Sequence, residues 1–445
     1  MSERLTQSLR QRYLRLAAIN IMATVSVPLA GLVDTAILGH LEDIRFLAGV
    51  ALGSIVFDYV YWTFGFLRMG TTGTTAQAMG GGNMKAVYLT LYRGLFLALS
   101  IGTALVVLQV PIRIGGFAVL SGAEGVEAAG VAYFNARVWG APATLCSFVL
   151  IGWFLGREES GRVLLITVAA NVSNILLDYV FVLGLGLAAF GAGLATMISQ
   201  YLAVAIGLFL FWKSRESRPW VWGEILDRHG LTSLMRLNRD ILFRTLGLIT
   251  ALSLFTNFSS VLGTTVLAAN AILLRVQYLA SHFIDGAAFA TESLAGTFRG
   301  QGDPKGLLKL LRLSLVVGFA CALGFAVLVV IAPGFLYPLL TSHQEVVEVA
   351  TRFGYWLIPV LLFGSAAYIY DGFFLGLTAG RVLRNSMLFS TILIFGSVAW
   401  VAVARGDNHI LWLAMTLWMV SRAATLSWAS RSLLREAQST WEPCG

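Results

Sequence analysis

Between Val163 and Phe190 the chain is almost wholly apolar, yet Asn171, Asn174 and Asp178 occur there at i, i+3 and i+7. That spacing puts two amides and a carboxyl group on one face of a helix. Asp178 is the only charge in that stretch, and Asp34 is the only charge between Leu16 and Leu38. An acid withdrawn from water favours its protonated form, and two acids facing each other hold one proton more tightly still. The chemistry these residues could perform is reversible proton uptake inside a polar pocket. The same amides and acids could instead hydrogen-bond neighbouring helices.

A second group lies in the other half of the chain. His282, Asp285 and Glu292 fall at i, i+3 and i+10 on one side of a helix, and Asp371 is the only charge from Gly354 to Leu377. These four could form a second cation or proton site, or pair with Arg275 or another intramembrane arginine. Asp58, Arg68, Glu127 and Arg137 are read as interhelical salt bridges. Ionisable groups in lipid are costly unless paired or wet, which is why each is singled out.

The surroundings make these residues conspicuous. Of 445 residues, 57% are from the set AVILMFWYC and 12% are charged, with a mean hydropathy of +0.78. A soluble domain carries about 25% charged residues. The composition excludes a disordered chain, a disulfide-rich module and nearly any soluble enzyme of this length, and leaves an all-α polytopic membrane protein. Each crossing takes about 20 residues. Helices are expected near 16–39, 47–78, 87–110, 126–156, 163–184, 191–212, 241–262, 266–298, 307–335, 346–377, 385–404 and 410–430. Outer-membrane strands would be shorter and would alternate.

The net charge of +8 does not point to nucleic acid. The basic residues gather in the terminal segments and in the loops after even-numbered helices, while the opposite loops hold only Arg45, Arg113 and Arg405. The positive-inside rule then places both termini in the cytoplasm. The N-terminus lacks a signal-peptide pattern. Cys146, Cys321 and Cys444 are too widely spaced for a disulfide framework or a zinc site. No metalloprotease helix, nucleophile elbow or phosphate loop is present.

The chain reads as an N-terminal six-helix bundle over 1–212, a polar cytoplasmic linker over 213–240 and a C-terminal bundle over 241–445. The halves repeat. Gly152-Trp153-Phe154-Leu155-Gly156 returns as Gly372-Phe373-Phe374-Leu375-Gly376, Gly161-Arg162 returns as Gly380-Arg381, and Gly82-Asn83 returns as Gly302-Asp303. Six intervening helices give both copies one orientation, so this is a parallel repeat suited to alternating access. The acids do not repeat: Leu254 stands where the first half has Asp34, and Ser397 stands near the equivalent of Asp178.

The string Val27-Pro28-Leu29-Ala30-Gly31-Leu32-Val33-Asp34-Thr35-Ala36-Ile37-Leu38-Gly39-His40-Leu41 resembles the first-helix signature of the multidrug and toxic compound extrusion (MATE) family, in the branch of the DNA-damage-inducible protein F type. Phe66 to Met69, Asn171 to Asp178, Leu237-Asn238-Arg239-Asp240 and Asp371-Gly372 followed by Arg384-Asn385 resemble the same branch. The resemblance covers nearly the whole chain. It implies twelve helices in two six-helix bundles and export of organic compounds in exchange for protons or sodium ions. It assigns proton coupling to Asp34 and matches Asn174, Asp178 and Thr196 to the family's polar cluster; with the spacing argument, proton coupling is expected at Asp34 and Asp178 and a polar cavity at Asn171, Asn174 and Thr196. Many relatives have a proline fifteen residues before the first-helix acid; this chain has Ile19 there, leaving Pro28 as the residue able to kink the helix.

The expectation is therefore a proton-coupled antiporter in the inner membrane. It would be a monomeric carrier of small amphiphilic, often cationic compounds, with the lipid bilayer as surroundings, no nucleic acid, no cofactor and no enzymatic activity. Sodium coupling and a lipid-linked substrate flippase are the alternatives.

Overall fold

A backbone crossing lipid must satisfy its own N–H and C=O groups, and a chain this apolar does so with helices. The computed structural model describes residues 8–41, 43–120, 123–214, 222–341 and 343–440. Among them, twelve helices are long and apolar enough to cross a membrane. In the first half they are α1 (Leu9–Gly39), α2 (Ile44–Gly80), α3 (Met84–Val107), α4 (Gly125–Gly156), α5 (Ser160–Gly184) and α6 (Ala188–Lys213). In the second they are α7 (Gly230–Val261), α8 (Thr264–Gln301), α9 (Pro304–Ile331), α10 (Leu357–Gly376), α11 (Gly380–Arg405) and α12 (Asn408–Arg435). Many large apolar side chains are exposed on these helices, Leu32, Leu176, Phe209 and Trp400 among them, as a lipid-facing surface requires.

The helix expected near 346–377 is two, Gln344–Gly354 and α10, and two further expectations change in detail. The polar stretch 213–240 is not simply a linker: the helix of α7 already begins at Arg228, and a short helix, Trp222–Ile225, precedes it. Residues 215–221 lie outside the described part. The short helix is strapped to α3. Lys85 Nζ lies 2.6 Å from Glu224 Oε1, Arg93 Nη2 donates to the Glu224 carbonyl at 2.8 Å, and Ile225 is fully buried. Second, α4 and α5 are not uniform. In α4 a 3-10 turn, Val138–Gly140, separates Glu124–Arg137 from Ala141–Gly156. In α5 the α-helix ends at Asp178 and continues as a π-helix over Tyr179–Gly184.

The chain divides into two compact units, one of Met22–Met79 and Asn83–Met235, the other of Met1–Ile21, Gly80–Gly82 and Arg236–Gly445. In the first unit, α2 and α4 approach at backbone distance. A Cβ on Gly152 would lie 2.5 Å from the Arg68 carbonyl oxygen, and one on Gly156 would lie 2.7 Å from that of Thr72. In the second unit, α8 and α10 repeat this 220 residues later: a Cβ on Gly372 would overlap the Ala288 carbonyl oxygen, and one on Gly376 that of Glu292. Small residues let helices meet this closely in lipid, where packing replaces the hydrophobic drive. The loops repeat as well. Asn83 and Asp303 cap α3 and α9 by accepting from Ala86 N at 3.0 Å and Gly306 N at 2.8 Å, and Glu158 and Thr378 share the left-handed conformation at φ 61° and 53°. We expect Gly372→Ala to destabilise the second unit by about 1–3 kcal/mol, the cost of overpacking a tight contact. Thermal unfolding of the purified variant checks this, and an unchanged midpoint would contradict it.

Each unit has its own aromatic core. Trp153 is fully buried and donates to the Val87 carbonyl at 3.0 Å, with Phe154 and Phe211 against its ring. In the second unit, Trp412 donates to Asn270 Oδ1 at 2.9 Å and Trp418 to Thr391 Oγ1 at 3.0 Å. Residues of the Leu237–Asp240 and Arg384–Asn385 motifs meet there: Arg384 Nη1 lies 2.7 Å from Asp240 Oδ1, joining α7 to α11.

Candidate functional site

Helix α5 presents Asn171, Asn174 and Asp178 along one face, and α1 supplies Asp34. Asp34 of α1 and Asp178 of α5 lie within interaction range of each other. Asp34 Oδ1 and Asp178 Oδ1 are both buried and receive no donor from another residue. Asn174 Nδ2 donates to Asp178 Oδ2 at 3.1 Å, fixing that carboxyl one helical turn away. Asn171 Nδ2 donates to Ser26 Oγ at 3.0 Å, tying α5 to α1 eight residues before Asp34. Thr196 lies on α6 and donates to its own helix, to the Ala192 carbonyl at 2.9 Å. Pro28 sits inside α1, which runs through it without interruption.

Two features of this site were not evident from spacing. Asp178 is the last α-helical residue before the π-helical segment of α5, and wider turns of that kind often occur at functional positions. Arg137 of α4, which the sequence suggests as a salt-bridge residue, lies among aromatic rings and donates through Nη1 to Tyr133 Oη at 2.5 Å. Its guanidinium lies over the rings of Phe57, Tyr133 and Tyr61, with its central carbon 4.6, 5.5 and 5.7 Å from their centroids.

The second-half acids have a different setting. Asp371 Oδ2 is held by two guanidinium groups, Arg244 Nη2 from α7 and Arg422 Nη2 from α12, the latter at 2.6 Å. Of the two readings of Asp371, pairing with intramembrane arginine is the one the geometry displays, and the partners are Arg244 and Arg422 rather than Arg275. Asp285 lies within electrostatic reach of Arg244 and Tyr368. His282 Nδ1 is bonded to the Tyr278 carbonyl at 2.7 Å, within its own helix. Glu292 is fully buried on α8. Among the described residues, no group of three His, Cys, Asp or Glu side chains is arranged to hold a metal ion.

The MatE family model matches residues 20–180 and again 243–401, one copy in each half of the repeat. The chain belongs to the MATE family. It is 34% identical over 418 residues to the DNA damage-inducible protein F of Escherichia coli (strain K12), a match covering 93% of this chain and 90% of that protein. It is 27% identical over 426 residues to the multidrug resistance protein NorM of Vibrio cholerae serotype O1, covering 92% and 88%. The fold is that of a multidrug resistance MATE family transporter of the MOP superfamily solved in an outward-facing conformation, with a TM-score of 0.90, 19% identity and 97% of each chain covered. The chain is thus a multi-pass membrane transporter of the MATE multidrug efflux family, and its relatives are transporters rather than enzymes. The first matched segment contains both Asp34 and Asp178, and the second contains Arg244, Asp285 and Asp371 but not Arg422.

Proposed function

We propose that this MATE transporter is a proton-coupled antiporter that exports small amphiphilic, often cationic compounds across the inner membrane. It works as a monomer with both termini in the cytoplasm. One observation carries the coupling: Asp34 and Asp178 lie within interaction range of each other in an otherwise apolar helical environment. In the outward-open state the pair takes up a proton from the more acidic side. The charge available to a cationic compound falls, the compound leaves, and the emptied carrier turns inward to release the proton. Antiport needs only that proton and compound prefer different states of the carrier. The orientation rests on the basic residues after even-numbered helices. Amphiphilic substrates suit aromatic and thioether side chains.

Reconstituted vesicles test the coupling ion. Export of a lipophilic cationic dye is expected under a pH gradient alone and not under a sodium gradient alone; the reverse result would replace protons by sodium. In the same assay we expect Asp178→Asn to lower export at least about tenfold, the scale on which lost ionisation at a coupling site acts. Undiminished export by this variant would remove Asp178 from the mechanism.

A further inference from the structure

We infer that one end of the second unit carries a binding face for the headgroup phosphate of an anionic phospholipid, built by arginines of α7, α11 and α12. Its place on the cytoplasmic side follows the orientation proposed above; its chemistry does not depend on the coupling ion.

Three observations carry it. First, the arginines gather at one end of three adjoining helices, where α7 and α11 begin and α12 ends. Arg384 Nη1 lies 2.7 Å from Asp240 Oδ1, and a Cβ on Gly380 would lie 3.2 Å from the Leu237 side chain, so the starts of α7 and α11 touch. Ser386 Oγ and Thr425 Oγ1 are 2.6 Å apart, which joins α11 to α12. Over 236–240, 380–386 and 425–435 the sequence holds six arginines and a single acid, Asp240. That acid is buried and already shared between Arg384 and, at 3.5 Å, Arg239.

Second, the free ends of these arginines stand on faces that turn to lipid. Arg236 and Arg239 are exposed, and their face of α7 continues through the exposed Phe243 and Leu246. Exposed Arg381 is followed at i+4 and i+11 by exposed Asn385 and Ile392 on α11. On α12, Arg431 and Arg435 follow Trp428 at i+3 and i+7; both are exposed, and Trp428 is 76% exposed. Large apolar side chains exposed on spanning helices meet acyl chains. Arginines one to three turns beyond them stand at headgroup depth, and an exposed Trp marks that level. A phospholipid fits both parts of the surface, its phosphate on the arginines and its chains on the apolar rows.

Third, the other copy of the repeat lacks this excess. Its equivalent loop has the same left-handed backbone, with Glu158 where the second copy has Thr378. There the arginines are neutralised: Glu159 lies 3.2 Å from Arg157 Nη2 and 2.9 Å from Arg162 Nη1. The second copy has Ala379 in place of that acid. Both loops lie on the same side of the membrane, so sidedness alone does not account for the difference. A guanidinium fork binds phosphate through paired N–H donors, and clusters of such cations at an interface attract anionic lipid.

Lipid titration of the full-length protein in neutral detergent tests it, followed by native mass spectrometry with phosphatidylglycerol and, separately, phosphatidylcholine of the same chains. We expect phosphatidylglycerol to be preferred. The double variant Arg381→Gln, Arg431→Gln should bind it about thirtyfold more weakly, about fivefold for each basic residue removed from an anionic surface. Replacing both by lysine should retain most of the preference. Arg162→Gln, in the neutralised loop, should leave it intact. Arg431→Gln alone serves where the double variant does not fold, with about a fivefold loss expected. Equal affinity of the wild type for the two lipids, an undiminished preference in the glutamine variants, or an equal loss in Arg162→Gln overturns the inference. Displacement of the lipid by inorganic phosphate at equal concentration also overturns it, because a soluble anion would then be the ligand.

Discussion

Asp34→Asn is expected to reduce pH-driven export to background while the protein still inserts into the membrane at normal abundance. Membrane potential supplies about 2.3 kcal/mol per proton per 100 mV, equivalent to about a 50-fold concentration ratio for the exported compound. A carrier that cannot bind the proton loses that whole contribution. Asparagine is nearly isosteric with aspartate, so helix α1 keeps its packing, and the half-buried position at residue 34 is not part of a rigid core. The loss should therefore appear in transport and not in stability. Dye accumulation in vesicles under an imposed pH gradient measures it, with membrane fractionation as the control for insertion. Export at the wild-type rate would remove Asp34 from coupling and with it the proposed mechanism.

The largest effect on stability is expected from Asp371→Asn. This carboxylate is buried between Arg244 and Arg422, and neutralising it takes the shared counter-charge from two guanidinium groups, with Asp285 remaining within electrostatic reach of Arg244. Breaking a buried ion pair from one side costs about 3–5 kcal/mol, and here two partners are left. Asp371 joins α7, α10 and α12, so the second unit should lose its thermal midpoint or fail to accumulate. Arg422→Gln should be milder, because Asp371 retains Arg244. The experiment also separates the two readings of the second-half acids. A cation site would lose ion dependence in Asp371→Asn and keep its fold. An unchanged thermal midpoint accompanied by lost sodium dependence would reverse the assignment of Asp371 as an anchor.

Much of this was readable along the chain, for reasons that differ by residue. Asp34 and Asp178 stood out because each is alone in a long apolar stretch, and helical spacing placed Asn174 beside Asp178. Spacing also exposed the repeat, since Gly152 and Gly372 must be glycine for the same reason: a backbone carbonyl lies where a side chain would be. Partners on other helices were less accessible. One helix's phase does not say which neighbour it faces, so Asp371 could be matched to some intramembrane arginine but not to Arg244 and Arg422. Ser26 as the partner of Asn171 was hidden in the same way. The stretch 213–240 misled because the polar residues from Arg228 onward, typical of a loop, occupy an extension of α7 beyond the apolar span. The break in α4 is marked by Gly140 and Pro142, a signal that the long apolar run around them overrode.

Helix α1 is divided in an unusual manner: its residues up to Ile21 cluster with the second half of the chain, and those from Met22 onward with the first. Tyr13 Oη donates to the Ala287 carbonyl at 3.2 Å and lies 3.4 Å from Thr291 Oγ1, which pins the early turns to α8. Asp34 lies twenty-one residues further along the same rod, with Pro28 between them. At about 1.5 Å per residue, the arm from Pro28 to Tyr13 is roughly 22 Å long. A ten-degree flexure at the proline would displace its far end by about 4 Å, from the same helix geometry. Under the proposed coupling, a proton on Asp34 would act on the same covalent rod whose early turns Tyr13 holds, so α1 itself, rather than a relay of side chains, is the lever to test.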